Sequence, residues 1–228
     1  MTRAIVLVSG GLDSCVAAAW AARQSFECIP INFAYGQRHS REIIASEQVC
    51  EALGFTTPIT FNLTQPFTMI GGSSLTSGQR SGNPSTEEVR RTPSDLPPSF
   101  VPGRNIIMLS IAAGLAYTEQ ATHIVGGWNA VDYSGYPDCR PEFFQQMELA
   151  LRIGLGHFSS DDLTIDTPLV GLKKDEIVTL GATWKAPIDL TWSCYAGGSQ
   201  PCGECDSCKI RIAGFAAAGV IDHAAAMA

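Results

Sequence analysis

The amino-acid sequence predicts an α/β fold, a doubly wound parallel sheet with a small cysteine-rich tail. Three observations predict it. Short apolar runs alternate with helical patterns along most of the chain. The first run, Ala4–Val8, breaks directly into Ser9-Gly10-Gly11 and then into a helical stretch. Four of the 8 cysteines crowd between Cys194 and Cys208. Residues 1–190 are expected to form the α/β domain and 191–228 the tail.

Each element has a local reason. Ala4-Ile5-Val6-Leu7-Val8 is unbroken and apolar, as a strand buried on both faces must be. Ser9-Gly10-Gly11-Leu12-Asp13-Ser14 follows, then Cys15-Val16-Ala17-Ala18-Ala19-Trp20 as a helix. Strand, tight glycine turn and helix start together make a phosphate cradle. Glycine lets the backbone approach an anion because no Cβ intervenes. The free N–H groups and positive dipole end of the helix attract negative charge. Val8 to Ala18 is therefore the candidate nucleotide-binding stretch. It lacks the Gly-Lys-Ser/Thr ending of a Walker A loop and the third glycine of a dinucleotide fingerprint.

Cys28–Phe33 reads as a second strand, Glu42–Leu53 as an amphipathic helix ended by Gly54, and Thr57–Leu63 as a third strand. From Thr64 to Pro102 the pattern dissolves into Ser, Gly, Pro and Thr, which reads as a long flap over the site. A long apolar helix is expected over Ile106–Gln120 with Asn105 as its N-cap. Arg104, beside that helix start, is a candidate for phosphate or carboxylate. His123–Gly127 reads as the fourth strand. The polar-aromatic stretch Trp128–Arg140 suits a flat heteroaromatic ring with donors and acceptors on its edge. A helix from Pro141 to about Leu155, a fifth strand and turn over Leu163–Leu169, and a helix beginning near Leu172 complete the domain. Lysine at a helix start opposes the dipole, so Lys174 is a candidate partner for an anion there.

In the tail, Cys194 is followed by Cys202-Gly-Glu-Cys205-Asp-Ser-Cys208. Two residues between cysteines let both sulfurs face one ion, and zinc takes four such ligands. A closed four-cysteine site leaves no open position for water, which predicts a structural zinc. The competing reading is a redox or sulfur-carrying cysteine pair. Cys15, Cys28 and Cys50 stand in apolar or helical surroundings and read as small buried hydrophobes. A helix over Ile210–Ala218 closes the chain.

The chain has 228 residues, a net charge of -7 and a sequence pI near 5.0. An acidic surface opposes an extended nucleic-acid partner. No leader-like or membrane-length apolar segment is read, so a cytoplasmic protein without membrane contact is expected.

Ser-Gly-Gly-Leu-Asp-Ser at 9–14 resembles the PP-loop of the ATP pyrophosphatases. Together with Tyr35-Gly-Gln-Arg-His39, Val101-Pro-Gly-Arg-Asn105, Asp132-Tyr-Ser-Gly-Tyr-Pro-Asp-Cys-Arg140, Thr191-Trp-Ser-Cys-Tyr195 and the three-cysteine run, it closely resembles the 7-cyano-7-deazaguanine synthase family. The flap around Gln79–Arg91 looks longer and more polar than usual for it. The resemblance implies a Rossmann-like PP-loop fold and a ligase of queuosine precursor synthesis. Its substrates would be 7-carboxy-7-deazaguanine, ammonia and ATP, with magnesium on the leaving pyrophosphate. It implies catalytic roles for Asp13, Ser14, Arg104 and Lys174, with Asp13 a magnesium ligand, and deazaguanine contacts from Tyr133, Tyr136, Asp138 and Arg140. It also implies a homodimer. Two other readings share these features: a tRNA-thiolating PP-loop enzyme, which would want a basic surface, and a zinc-stabilised nucleotide sensor.

Overall fold

The computed structural model describes residues 1–35, 41–73, 96, 99–130, 135–156, 163–195 and 198–224. Its strands are β1 (Arg3–Leu7), β2 (Glu27–Ala34), β3 (Ile59–Asn62), β4 (His123–Val125) and β5 (Thr164–Asp166). Its helices are α1 (Leu12–Arg23), α2 (Arg41–Ala52), α3 (Thr64–Ile70), α4 (Arg104–Glu119), α5 (Pro141–Gly154), α6 (Lys174–Trp184) and α7 (Asp206–Ala218). The strands form one sheet in the order β3-β2-β1-β4-β5, every neighbouring pair parallel. This is the doubly wound sheet that the alternation of runs predicts.

The central strand explains the two-sided core. Period-two alternation sends Ala4, Val6 and Val8 to one face, where they pack with Leu12, Val16, Ile177 and Phe215. Ile5 points to the other face, with Ile31, Ile124, Leu109 and Phe144. Every residue from Ala4 to Val6 is fully buried, so an apolar run without alternation is what this position requires.

Three expectations need correction. Thr64–Ile70 is a helix, not the start of a patternless flap. Asn62 Oδ1 accepts from the Thr64 N–H at 3.0 Å, Pro66 falls in the first turn where its missing donor costs nothing, and Phe67 is fully buried. Most of the remaining flap, 74–95, lies outside the described residues. Asn105 does not cap α4. Gly103, at φ 72°, holds that position, and the Asp138 carboxylate accepts from the Asn105 N–H at 3.2 Å. An acceptor from elsewhere in the chain replaces the local cap, which frees the Asn105 side chain to donate to the Asp138 carbonyl at 2.8 Å. The closing helix begins at Asp206, one turn before the predicted start.

That closing helix is tied down by a buried charge. Arg211 is 5% exposed, and its Nε and Nη2 donate to the Asp222 carboxylate at 2.6 and 2.9 Å. Nη1 donates to Thr191 Oγ1 at 2.8 Å and Ser193 Oγ at 3.1 Å. Removing one partner of a buried ion pair strands the other. Arg211→Met is expected to lower the unfolding free energy by about 3–5 kcal/mol in a denaturant titration. A loss below about 1 kcal/mol would show that Asp222 finds another partner.

Candidate active site

β1, β2 and β3 step to one side of the sheet, and β4 returns to the other side of β1. The loops after β1 and β4 therefore diverge from one point, where doubly wound sheets bind ligands. A cleft of about 320 Å³ opens there, reaching from β2 across the 9–14 loop to Arg104, Lys174 and Trp192.

The loop is braced from within. Ser14 Oγ donates to the Gly11 carbonyl at 2.9 Å and accepts from the Ser9 backbone N–H at 3.2 Å. Ser9 Oγ also donates to Ser14 Oγ at 3.0 Å. Gly10 sits at φ 86°, and a Cβ there would run into the Glu42 carbonyl of α2. The Trp192 N–H donates to the Gly10 carbonyl at 2.9 Å, tying the loop to the chain just before the cysteine cluster. Gly11 leads into α1 without a side-chain cap, so the first N–H groups of α1 face the cleft with their dipole.

Asp13, in the first turn of α1, is the hub. Lys174 Nζ donates to both its carboxylate oxygens at 2.7 Å, and Asn129 Nδ2 donates to Oδ2 at 3.0 Å. The lysine that opposed its own helix dipole is thus neutralised by a carboxylate from another helix. Two glycines allow the convergence. A Cβ on Gly127 would lie 2.6 Å from the Asp13 carbonyl, and one on Gly214 would lie 2.5 Å from Lys174 Cγ. Arg104 also lines the cleft, and its guanidinium lies 5.8 Å from the centre of the Tyr136 ring.

The other candidate contacts are placed less centrally. Tyr136 shares a 2.7 Å hydrogen bond with Ser99 and stacks on Phe100, so it borders the cleft through Arg104. Asp138 is buried under the start of α4, and Arg140 is exposed at the start of α5. Tyr133 lies outside the described residues.

The tail cysteines converge. The Sγ atoms of Cys194, Cys202, Cys205 and Cys208 all lie within 4.8 Å of one another. A tetrahedron with metal–sulfur bonds of about 2.3 Å has sulfur–sulfur edges of about 3.8 Å, and Cys202 Sγ stands 4.0 Å from Cys208 Sγ. The backbone N–H groups of Cys202 and Cys205 donate to Cys194 Sγ and Cys202 Sγ at 3.3 and 3.4 Å. Backbone donation, first from Cys205 and then from Glu204, draws the Cys202 thiol down to about 6. Four sulfurs at this spacing can hold a metal ion. In contrast, burial pushes the Cys15 and Cys50 thiols up to about 12 and Cys28 up to about 11, so these stay protonated and inert.

A family model described as "Queuosine biosynthesis protein QueC" matches residues 3–219. The chain belongs to this family. Proteins named 7-cyano-7-deazaguanine synthase are 43% identical in Picrophilus torridus, covering 97% of this chain and 90% of that protein, and 44% identical in Oceanobacillus iheyensis, covering 96% of each. One from Synechococcus elongatus is 42% identical, covering 100% of this chain and 96% of its own.

Within this member of the family, sequence reasoning missed Asn129, Trp192 and Gly214 as parts of the site. Asn129 and Trp192 lie in stretches already singled out, but nothing in their type announces a partner more than 100 residues away. Gly214 had one local signal, a glycine inside a helix, where it costs stability. Gly214→Ala is expected to lower kcat at least tenfold by displacing the Lys174 stem while thermal melting shifts by less than the loss of a buried ion pair. Unchanged kcat would show that Lys174 keeps its place without that gap.

Proposed function

We propose that this chain converts the carboxylate of 7-carboxy-7-deazaguanine into a nitrile, using ammonia and ATP, as the names of its relatives suggest. One observation carries the reading. The α1 N-terminus, without a side-chain cap, opens into the cleft between two cations, Lys174 and Arg104. A carboxylate is a poor electrophile and must be activated. Held at the loop 9–14, ATP presents its α-phosphorus to the substrate carboxylate. The carboxylate oxygen forms the new bond to phosphorus, and the bond to pyrophosphate breaks. Ammonia attacks the acyl carbon, loses a proton, and AMP leaves with one original carboxyl oxygen. The resulting amide oxygen attacks the α-phosphorus of a second ATP, displacing pyrophosphate as one amide proton is lost, and departure of AMP with loss of the second amide proton leaves the nitrile.

The residues take roles that fit this charge flow. Lys174 moves from Asp13 toward the phosphates as negative charge grows there, and Arg104 approaches from the start of α4. Ser14 keeps the loop closed on itself. Magnesium would neutralise the leaving pyrophosphate, with Asp13 the loop carboxylate able to hold it once Lys174 has turned away. The deazaguanine ring is assigned to Tyr136, Asp138 and Arg140, with Tyr133 a further candidate contact. We infer zinc for the four cysteines, held structurally, since all four positions are filled by protein sulfur. The 1–190 and 191–228 division, the homodimer, the cytoplasmic location and small molecules as the sole partners belong to the same proposal. Among the described residues no helix is long and apolar enough to cross a membrane.

Three measurements check it. With the substrate carboxyl labelled by oxygen-18, the label is expected in AMP; unlabelled AMP overturns the acyl-adenylate route. Lys174→Ala is expected to cut kcat about a hundredfold with the fold intact by circular dichroism. Metal analysis is expected to return one zinc per chain, and Cys205→Ser to lower the melting temperature because metal binding contributes folding free energy. A variant that melts like the parent but turns over poorly would move the cluster from structure to chemistry.

A further inference from the structure

At the β2 side of the cleft, a buried amide has one half of its hydrogen-bonding capacity unmet. Asn32 is 4% exposed and lines the cleft. Its Nδ2 donates to Ser46 Oγ at 3.2 Å, and Ser46 Oγ donates to the Val8 carbonyl at 2.6 Å. A hydroxyl has a single proton, and a carbonyl can only accept. The Ser46 proton therefore belongs to Val8, so Ser46 can only accept from Asn32. This settles which end of the amide faces Ser46, since a flipped amide would set two acceptors against each other. Asn32 Oδ1 is then directed away from Ser46, and it has no partner among the described residues. Buried polar atoms are normally paired, so an unpaired acceptor on a residue that lines the cleft is a demand for a donor.

We propose that Asn32 selects the nucleotide by accepting a hydrogen bond from the exocyclic amino group of adenine. The proposal rests on the reading of the cleft as an ATP site and names its base-reading residue. Position favours the base of the nucleotide over the second ring. The Val8 N–H donates to the Ile31 carbonyl at 2.8 Å, so Asn32 stands directly beside the strand end from which the phosphate loop departs. Its chain neighbours Ile31 and Phe33 also line the cleft and offer apolar surface to a flat ring. The chemistry favours adenine. Asn32 Oδ1 is the acceptor left without a partner among the described residues, while one of the two Nδ2 protons is held by Ser46. An amino group satisfies it. A 6-oxo purine would set oxygen against oxygen.

Direct titration of the full chain with three nucleotides, without deazaguanine, tests this. ATP carries the amino group, purine riboside triphosphate has hydrogen there, and inosine triphosphate has an oxo group. The parent is expected to bind ATP about tenfold tighter than the purine analogue, the worth of one hydrogen bond to a buried acceptor, and inosine triphosphate more weakly still. Asn32→Leu removes the acceptor and is expected to bring ATP and the purine analogue within about twofold of each other. Equal affinity of the parent for all three nucleotides overturns the proposal without recourse to any variant. So does an Asn32→Leu protein whose ATP preference persists. A parent that binds none of the three overturns the ATP site itself, a result distinct from binding without discrimination.

Discussion

The site depends on the grip on Asp13. Three segments far apart in the chain meet at this carboxylate: α1 supplies it, Asn129 and Lys174 hold it. Asp13 sits in the first turn of its own helix, where negative charge is favoured. Lys174 sits in the first turn of α6, where positive charge is not. Pairing the two resolves the misplaced lysine and stores a cation beside the phosphate cradle. With side-chain exposures of 16% and 23%, the pair is shielded enough to be ordered and open enough to exchange partners. An arriving polyphosphate competes with Asp13 for the same ammonium.

Global and local charge point in opposite directions in this molecule. The chain carries a net charge of -7, yet the cleft gathers Lys174, Arg104 and Arg211 around a helix N-terminus. Surface charge is screened beyond about 10 Å at ordinary ionic strength, so the cleft sets the potential that a bound phosphate experiences. The acidic exterior then acts against long polyanions, which must cover surface as well as enter the cleft. A small anion enters a cleft that Asp13 and Glu42 also line, and it competes with Asp13 for the Lys174 ammonium.

Sequence patterns reached the sheet, the glycine-turn loop and the cysteine cluster, because all three are local signals. The run Ala4–Val8 and its glycine turn are contiguous, and so is the three-cysteine run closed by Cys194. The errors have one physical cause, tertiary satisfaction of a local need. Asn105 looks like a cap, but Asp138 performs that task from 33 residues away. Thr64–Ile70 looks irregular, yet one buried phenylalanine and a proline in the first turn suffice for two turns of helix. Asn32 was hidden inside an apolar strand, where a lone polar residue is a signal only if its partners can be counted. Counting them requires Ser46 and Val8, which no periodicity connects to it.

The cysteine cluster and the candidate cleft share one helix, and the spacing along it explains how. The buried residues of α7 are Cys208, Arg211, Gly214 and Phe215. They fall three, three and one apart, a single stripe on one helical face. The stripe begins at a cluster sulfur, passes the arginine that clasps Thr191 and Asp222, reaches the gap that receives the Lys174 stem, and ends in the core at Phe215. A rigid helix transmits the position of its first turn to its third. Whatever holds the four sulfurs together thereby holds Gly214 against Lys174, and through Lys174 reaches Asp13. The tail is thus one wall of the same cleft, which Trp192, Ser193, Tyr195, Ser207, Ile210 and Arg211 also line.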